Sequence, residues 1–321
     1  MSLTGISDLP DITRLAGLLR DRGAKKVALQ FPDGLRRRAA EVAALLREMG
    51  FFVIISGDPC YGACDLALDT LRHADVLVHF GHTAVSNHKN VLYEPYFLDF
   101  EVEALSAAVP LLKNRTIGLV TTVQHAHMLG EMQRYLATQG FRCLCASGGE
   151  RAPMTGQILG CSFRAGKETG AAEILFVGTG LFHPSGLQLV TGSRVIALDP
   201  YTRIAVEVKG DRFLRKRHAL ITKAGNAKNF GILICTKSGQ KRLSLAKALA
   251  DLSEKAFLVT VREISPDVLR NLGFDAYVNT GCPRLSYDDQ EIFPAPVLSP
   301  PEFEIVVGRR HWDDYLIDEF P

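Results

Sequence analysis

No uninterrupted apolar run in this chain of 321 residues approaches the ~20 that a membrane-crossing helix needs. The first residues, with Asp8, Asp11 and Arg14 among them, hold no apolar signal-peptide core. The expectation is a cytoplasmic protein with no membrane partner. An excess of one charge is missing as well: 37 Lys and Arg stand against 35 Asp and Glu, a formal net charge of +2. That balance favours no polyanionic partner, and direct nucleic-acid binding is not expected. The one local excess, Lys209 to His218, reads as a solvated helix face. Cysteine is sparse: seven residues, an odd number, do not make a secreted disulfide scaffold. In a reducing compartment such thiols are core filler, catalytic groups or metal ligands, and none of them shows the local spacing of a zinc finger or a ferredoxin.

What is present is an ample apolar fraction, 47% against 22% charged residues, enough for sizeable cores. After a short helix (about Ile12 to Arg20), Lys26 to Phe31 reads as a strand. Leu35, Ala39, Val42, Leu46 and Met49 then form one apolar helical stripe that Gly50 ends with a left-handed cap. Strands follow at Phe51 to Ser56 and Val76 to Phe80. The order recurs with strand Arg115 to Thr121, helix Met128 to Thr138, and strands Phe141 to Ala146 and Glu173 to Val177. A third pass has strand Phe230 to Cys235, a helix capped by Ser238, strand Phe257 to Val261, a helix near Pro266 to Leu272, and strand Ala276 to Asn279. The fold class is therefore α/β: three pseudo-repeated small domains, each a doubly wound parallel sheet, at 1–107, 108–210 and 211–321.

This repeat gives the cysteines meaning. Cys64 and Cys161 fall between the second and third strands of their units, and Cys282 falls just after a third strand. Each sits in a glycine-flanked loop at the strand C-terminal ends, where open α/β sheets place their ligands. Three such loops facing one centre would bring together three thiols with no histidine at ligand spacing. That set suits an iron-sulfur cluster with one open iron better than structural zinc, which takes four protein ligands. Cys143, Cys145 and Cys235 read as strand filler. Cys60, four residues before Cys64 and in the same loop, is left open by the residues alone.

Tyr61-Gly62-Ala63-Cys64-Asp65, Gly156-Gln157-Ile158-Leu159-Gly160-Cys161 and Asn279-Thr280-Gly281-Cys282-Pro283-Arg284 closely resemble the three cysteine motifs of the diphthamide synthesis enzyme family in its archaeal single-subunit form. His79-Phe80-Gly81-His82, Val177 to Pro184, Phe213 to Arg217 and Thr236 to Gln240 extend the likeness over essentially the whole chain. The resemblance implies a homodimer holding a [4Fe-4S] cluster on Cys64, Cys161 and Cys282, with Cys60 outside the ligand set. It implies transfer of the 3-amino-3-carboxypropyl group of S-adenosylmethionine to imidazole C2 of one histidine in translation elongation factor 2, with electrons from a separate donor. Consistent with this unusual bond cleavage, Cys60-x₃-Cys64 begins like the C-x₃-C-x₂-C run of ordinary radical S-adenosylmethionine enzymes and stops at Asp65.

Binding of S-adenosylmethionine then needs a partner for its carboxylate and polar groups for its ribose. Arg284, after the third cysteine, is the candidate for a bidentate contact to the carboxylate, a surface ion pair being the alternative. Gly178-Thr179-Gly180 follows a strand and offers backbone N–H groups. Gln240 at a helix start and His183 in a loop are further polar contacts, each equally readable as an ordinary turn residue. His79 and His82 could steer the incoming histidine or accept protons near pH 7, or be structural. Asp288 and Asp289 read as solvated loop carboxylates. The rival readings are a quinolinate synthase-like enzyme, which shares the three-domain, three-cysteine plan, and a non-catalytic partner subunit.

Overall fold

A computed structural model describes residues 11–320; residues 1–10 and 321, with Asp8 and the start of the first expected domain, lie outside the described residues. Among the described residues no helix is long and apolar enough to cross a membrane.

Three sheets carry the fold. The first joins β1 (Lys26–Gln30), β2 (Phe52–Ile55), β3 (Val76–Phe80) and β4 (Val91–Glu94) in the order β2-β1-β3-β4. In the second, β5 (Thr116–Thr121), β6 (Arg142–Leu144), β7 (Glu173–Val177), β8 (Arg194–Asp199) and β9 (Ile204–Glu207) run β6-β5-β7-β8-β9. The third takes β10 (Phe230–Cys235), β11 (Ala256–Val261), β12 (Ala276–Asn279) and β13 (Val297–Leu298) in the order β11-β10-β12-β13. Every pair is parallel except β8 with β9.

The central strands explain themselves: β3, β7 and β10 are buried along their whole length, as near-continuous apolar runs covered on both faces must be. Helix Ala39–Glu48 buries Ala39, Val42, Ala43 and Leu46 against the first sheet. Burying Val42 and Leu46 contributes about 1.5–3 kcal/mol each. Gly50 takes a φ of 92°, the left-handed turn expected after that helix. In every sheet the order reverses between the first and third strands, so the switch points lie beside the ends of β1, β5 and β10.

Several expectations are corrected. Each sheet has a fourth strand, β4, β8 or β13, which three-strand units did not include. The stripe from Leu35 to Met49 is split, a 3₁₀ turn at Asp33–Arg38 leading into the α-helix, and Val123–Met128 repeats this before helix Leu129–Thr138. Ser238 does not cap the third unit's helix, which starts at Leu243 with Arg242 as its N-cap residue. Cys145 lies beyond the end of β6. The basic run is no wholly solvated face either. In helix Asp211–Ala224, Arg217 is 2% exposed and grips Glu302 in a bidentate pair at 2.7 and 2.6 Å. Leu105 and Ala108, one on each side of the first expected division, both belong to the core of the second sheet.

Candidate active site

Each cysteine loop is drawn over a switch point by its own sheet. In the first unit Gln30, at the end of β1, donates to the Asp65 carbonyl at 2.7 Å and accepts from the Ala67 N–H at 3.1 Å, so the Cys64 loop passes over β1. In the second, Ile158 N–H donates to the Thr121 carbonyl at 2.9 Å, which lays the Cys161 loop on the end of β5. In the third, the Asn279 side chain donates to the Cys282 carbonyl at 2.7 Å and to Ser286 Oγ at 3.1 Å, shaping the turn behind β12.

The three loops converge. Cys64, Cys161 and Cys282 line one cavity of about 270 Å³, with Arg151, His183, His82 and Arg284 in its wall. Cys64 and Cys282, with Gln240 and Arg284, also line an adjoining cavity of about 440 Å³ whose far wall holds Ile264, Leu285 and Phe293. Burial raises the pKa of all three thiols; Cys282 is pushed up to about 12 by burial and then by its neighbours Cys64 and Cys161. Cys64 also raises the pKa of Cys161, and buried thiols so placed ionise together only when positive charge stands among them. A cationic iron core meets that condition, so this donor set fits a cluster held by three cysteines. Arg151 works in the same direction, stabilising the thiolate forms of Cys161 and Cys64, while its own Nε is buried without a partner.

Contacts between units lock the site. Lys237, from the turn after β10, is 8% exposed and pairs with Asp65 at 2.8 Å and Glu263 at 2.7 Å. Burial opposes the Lys237 charge, but these two carboxylates outweigh it and raise its pKa. Beside it Gly239 donates its N–H to the Cys64 carbonyl at 3.1 Å. A Cβ on Gly239 would stand 2.5 Å from Cys64 Cα, so only glycine lets the two loops meet. From the other end of the chain, Phe320 N–H donates to the Cys161 carbonyl at 2.8 Å, and its ring lies between the guanidinium carbons of Arg151 (4.4 Å) and Arg242 (4.2 Å). Arg242 also holds Asp318 at 2.5 Å and the Thr280 carbonyl at 2.7 Å, tying this tail to the Cys282 turn.

The other expected contacts divide. Gln240 stands at the cysteines, but both ends of its amide serve thiols: Nε2 donates to Cys64 Sγ and Oε1 accepts from Cys235 Sγ, each at 3.3 Å. It lies in a turn ahead of the helix rather than at its start. His183 lines the thiol cavity, but from helix Phe182–Thr191 and not from a loop; burial, then the Arg284 charge, lowers its pKa to about 4. Arg284 reaches both cavities while paired with Asp288 at 3.0 Å and stacked 4.7 Å over Phe182, so its ion pair is realised. Asp288 is accordingly exposed, as expected of a loop carboxylate, but paired.

Gly178-Thr179-Gly180 is not brought to the thiols. Gly178 and Gly180 line a separate cavity with Asp199 and Ile204, and the Gly178 N–H is already given to the Leu198 carbonyl at 2.9 Å. The stretch instead delivers Phe182 and His183 from the end of β7. Of the readings open to His79 and His82, the hydrogen bonds of His79 to Gln30 at 2.9 Å and to His82 at 3.0 Å favour the structural one. Burial lowers their pKa to about 3 and about 4, so both stay neutral near pH 7 instead of titrating there. Arg151, Arg242 and the Asp318–Phe320 tail escaped the reading of the sequence; an arginine in a loop and an aromatic near the chain end carry no local signal. Lys237 and Gly239 lay inside a quoted motif without an assigned role.

The family model described as "Putative diphthamide synthesis protein" matches residues 31–317. The 2-(3-amino-3-carboxypropyl)histidine synthase of Pyrococcus horikoshii is 39% identical over 312 residues, which cover 94% of this chain and 90% of that protein. Subunit 1 of the synthase of that name from Gallus gallus is 30% identical, over 94% of this chain and 77% of its own length. The crystal structure of Dph2 from Pyrococcus horikoshii with a 4Fe-4S cluster superposes with a TM-score of 0.92 at 36% identity, covering 97% of this chain and 94% of that one. These likenesses are to diphthamide synthesis proteins and not to a quinolinate synthase. The chain belongs to the diphthamide synthesis protein family.

Proposed function

We propose that this chain is a 2-(3-amino-3-carboxypropyl)histidine synthase that binds a [4Fe-4S] cluster through Cys64, Cys161 and Cys282. It acts on S-adenosylmethionine and on one histidine of translation elongation factor 2, in the first step of diphthamide formation. The observation that carries the reading is the meeting of one cysteine from each sheet in one cavity. When bound and reduced, such a cluster supplies the electron that splits the bond between sulfur and the γ-carbon of the methionine part.

The chain's own residues do the rest. Gln240 and Arg151 hydrogen-bond Cys64 and Cys161, which orients the ligands and tunes their sulfurs. Arg284 exchanges its Asp288 partner for the S-adenosylmethionine carboxylate, and neutral His183 beside it contributes a polar contact without added charge. The apolar wall of the larger cavity excludes water from the cleavage. In the balance, a C–S bond breaks to release 5′-methylthioadenosine, a C–C bond forms at imidazole C2, and the C2 hydrogen leaves as a proton. The sum is redox-neutral, so the donor's electron is needed to start a turnover and is not consumed by the product.

The working form is a cytoplasmic homodimer served by a separate electron donor. Two exposed apolar edges support a dimer: Phe52 and Ile55 on β2, and Phe257 and Leu258 on β11. The test is anaerobic reconstitution followed by dithionite, S-adenosylmethionine and elongation factor 2. Formation of 5′-methylthioadenosine together with a modified factor is expected; 5′-deoxyadenosine, or an untouched factor, overturns the reading.

A further inference from the structure

Cys60 has no part in the site described so far, yet it is no ordinary filler. Its Sγ and one ring nitrogen each of His79 and His82 lie within 4.8 Å of one another, with Cys60 1% and His79 0% exposed. Among the described residues the thiol's hydrogen bonding is a weak 3.9 Å contact to the Gly62 carbonyl.

The hydrogen bonds fix how one of the imidazoles is presented. Gln30 Oε1 accepts from the Ala67 N–H, and Gln30 Nε2 donates to the Asp65 carbonyl, so the orientation of that amide is set. His79 Nδ1, 2.9 Å from the same Oε1, must therefore be the protonated nitrogen, which leaves a lone pair on Nε2. Without a metal that lone pair accepts from His82 Nδ1–H at 3.0 Å, so a metal held by both nitrogens requires His82 to carry its proton on Nε2 instead. A metal-ligating histidine is held in just this way, its second nitrogen donating to a carbonyl oxygen.

We propose that Cys60, His79 and His82 form a second metal site, distinct from the Cys64–Cys161–Cys282 trio, that takes a single divalent ion of zinc-like softness. Zinc bonds of about 2.3 Å to sulfur and 2.0–2.1 Å to nitrogen place tetrahedral ligands about 3.3–3.6 Å apart. His79 Nε2 and His82 Nδ1, 3.0 Å apart, must open by a few tenths of an ångström, and the sulfur, within 4.8 Å of the ring nitrogens, must close in by up to about an ångström. One thiolate and two neutral imidazoles make a borderline-soft set that zinc prefers over magnesium or calcium. Water fills the fourth position, and binding releases the Cys60 proton to solvent. Since His79 and His82 end β3 and Cys60 opens the loop carrying Cys64, the ion would clamp that loop to the first sheet.

The experiment uses the cluster-loaded protein, stripped of loosely bound metal and titrated anaerobically with zinc against a chromophoric chelator. X-ray absorption at the zinc edge then reads the ligands. One zinc per chain, bound by one sulfur and by nitrogen or oxygen donors, is expected. Cys60→Ser should weaken zinc binding by at least about a hundredfold, because loss of outer partners alone costs about 10–100-fold, while iron content stays at the level of the unaltered chain. Absence of stoichiometric zinc, zinc bound by three sulfurs, or unchanged affinity in Cys60→Ser each overturns the proposal. The ligand count in the unaltered protein decides the matter even if a variant folds poorly.

Discussion

The Cys282 loop and the other two cysteine loops are held in different ways. Cys282 is fixed by its own unit. Asn279 grips its carbonyl, and Arg217 ties the following turn to the third core by donating to the Ser286 carbonyl at 2.6 Å while paired with Glu302. Cys64 and Cys161, although each loop is tied to its own sheet, lean on the third unit as well, through Lys237, Gly239 and Gln240 in one case and the Asp318–Phe320 tail in the other. The third sheet is thus complete in itself, and its loops and tail act as the mould on which the other two cysteine loops are set. A site assembled this way exists only when the units are packed together, which keeps three mutually repelling thiolates from gathering before the fold is made.

The largest expected effect comes from removing a thiol. Cys64→Ala, Cys161→Ala or Cys282→Ala should each cost most of the bound iron after anaerobic reconstitution and abolish 5′-methylthioadenosine formation. Retention of iron in any one of them would remove that residue from the ligand set. Next comes the internal brace. Arg217→Ala leaves the Glu302 carboxylate buried without its counter-charge, a loss of roughly 3–5 kcal/mol in unfolding free energy. Chemical denaturation reads it, and a loss under about 1 kcal/mol would show that the pair is dispensable to the third unit. Smaller again is the joint between units. Gly239→Ala drives a Cβ against Cys64 Cα, where backbone has to give, at a cost of about 1–3 kcal/mol. The loss should appear as lower iron content with the three sheets intact by circular dichroism; full iron loading would mean that the loops part without harm.

How much of this was legible depends on whether a feature leaves a local trace. The central strands β3, β7, β10 and β12 were readable to the residue, or nearly so, because fully buried parallel strands are short apolar runs bounded by turn residues. The site cysteines were readable because the repeat put their loops at equivalent strand ends. The fourth strands were hidden: β13 is two residues long, β4 follows a loop with no helix of its own, and β8 follows helix Phe182–Thr191, where a loop was expected. Arg217 looked like one basic residue among several, since a buried ion pair is defined by a partner 85 positions away. Gly178-Thr179-Gly180 misled for the opposite reason. A glycine turn after a strand fits a ligand's approach and fits equally well a turn whose N–H completes the neighbouring strand.

The smallest expected effect tests the tail and separates charge from packing. Phe320 holds Cys161 by its backbone N–H, which any residue but proline supplies, while its buried ring lies against Arg151 and Arg242. Phe320 is buried, and two guanidinium–aromatic contacts to such a ring contribute about 0.5–2 kcal/mol each. Phe320→Ala should therefore loosen the tail to limited proteolysis and speed release of iron to a chelator several-fold, with the stability loss confined to the tail and the three sheets intact by circular dichroism. Phe320→Leu keeps apolar bulk but has no ring face for the cations. If the leucine variant releases iron as fast as the alanine one, the two arginines hold the tail through the aromatic ring, and the Cys161 loop is secured by electrostatics. If it holds iron as long as phenylalanine does, burial alone suffices. The tail would then be a plug, held by the apolar contact and the Asp318 pair, and the difference between the Cys282 loop and the Cys161 loop would reduce to which segment of chain covers each.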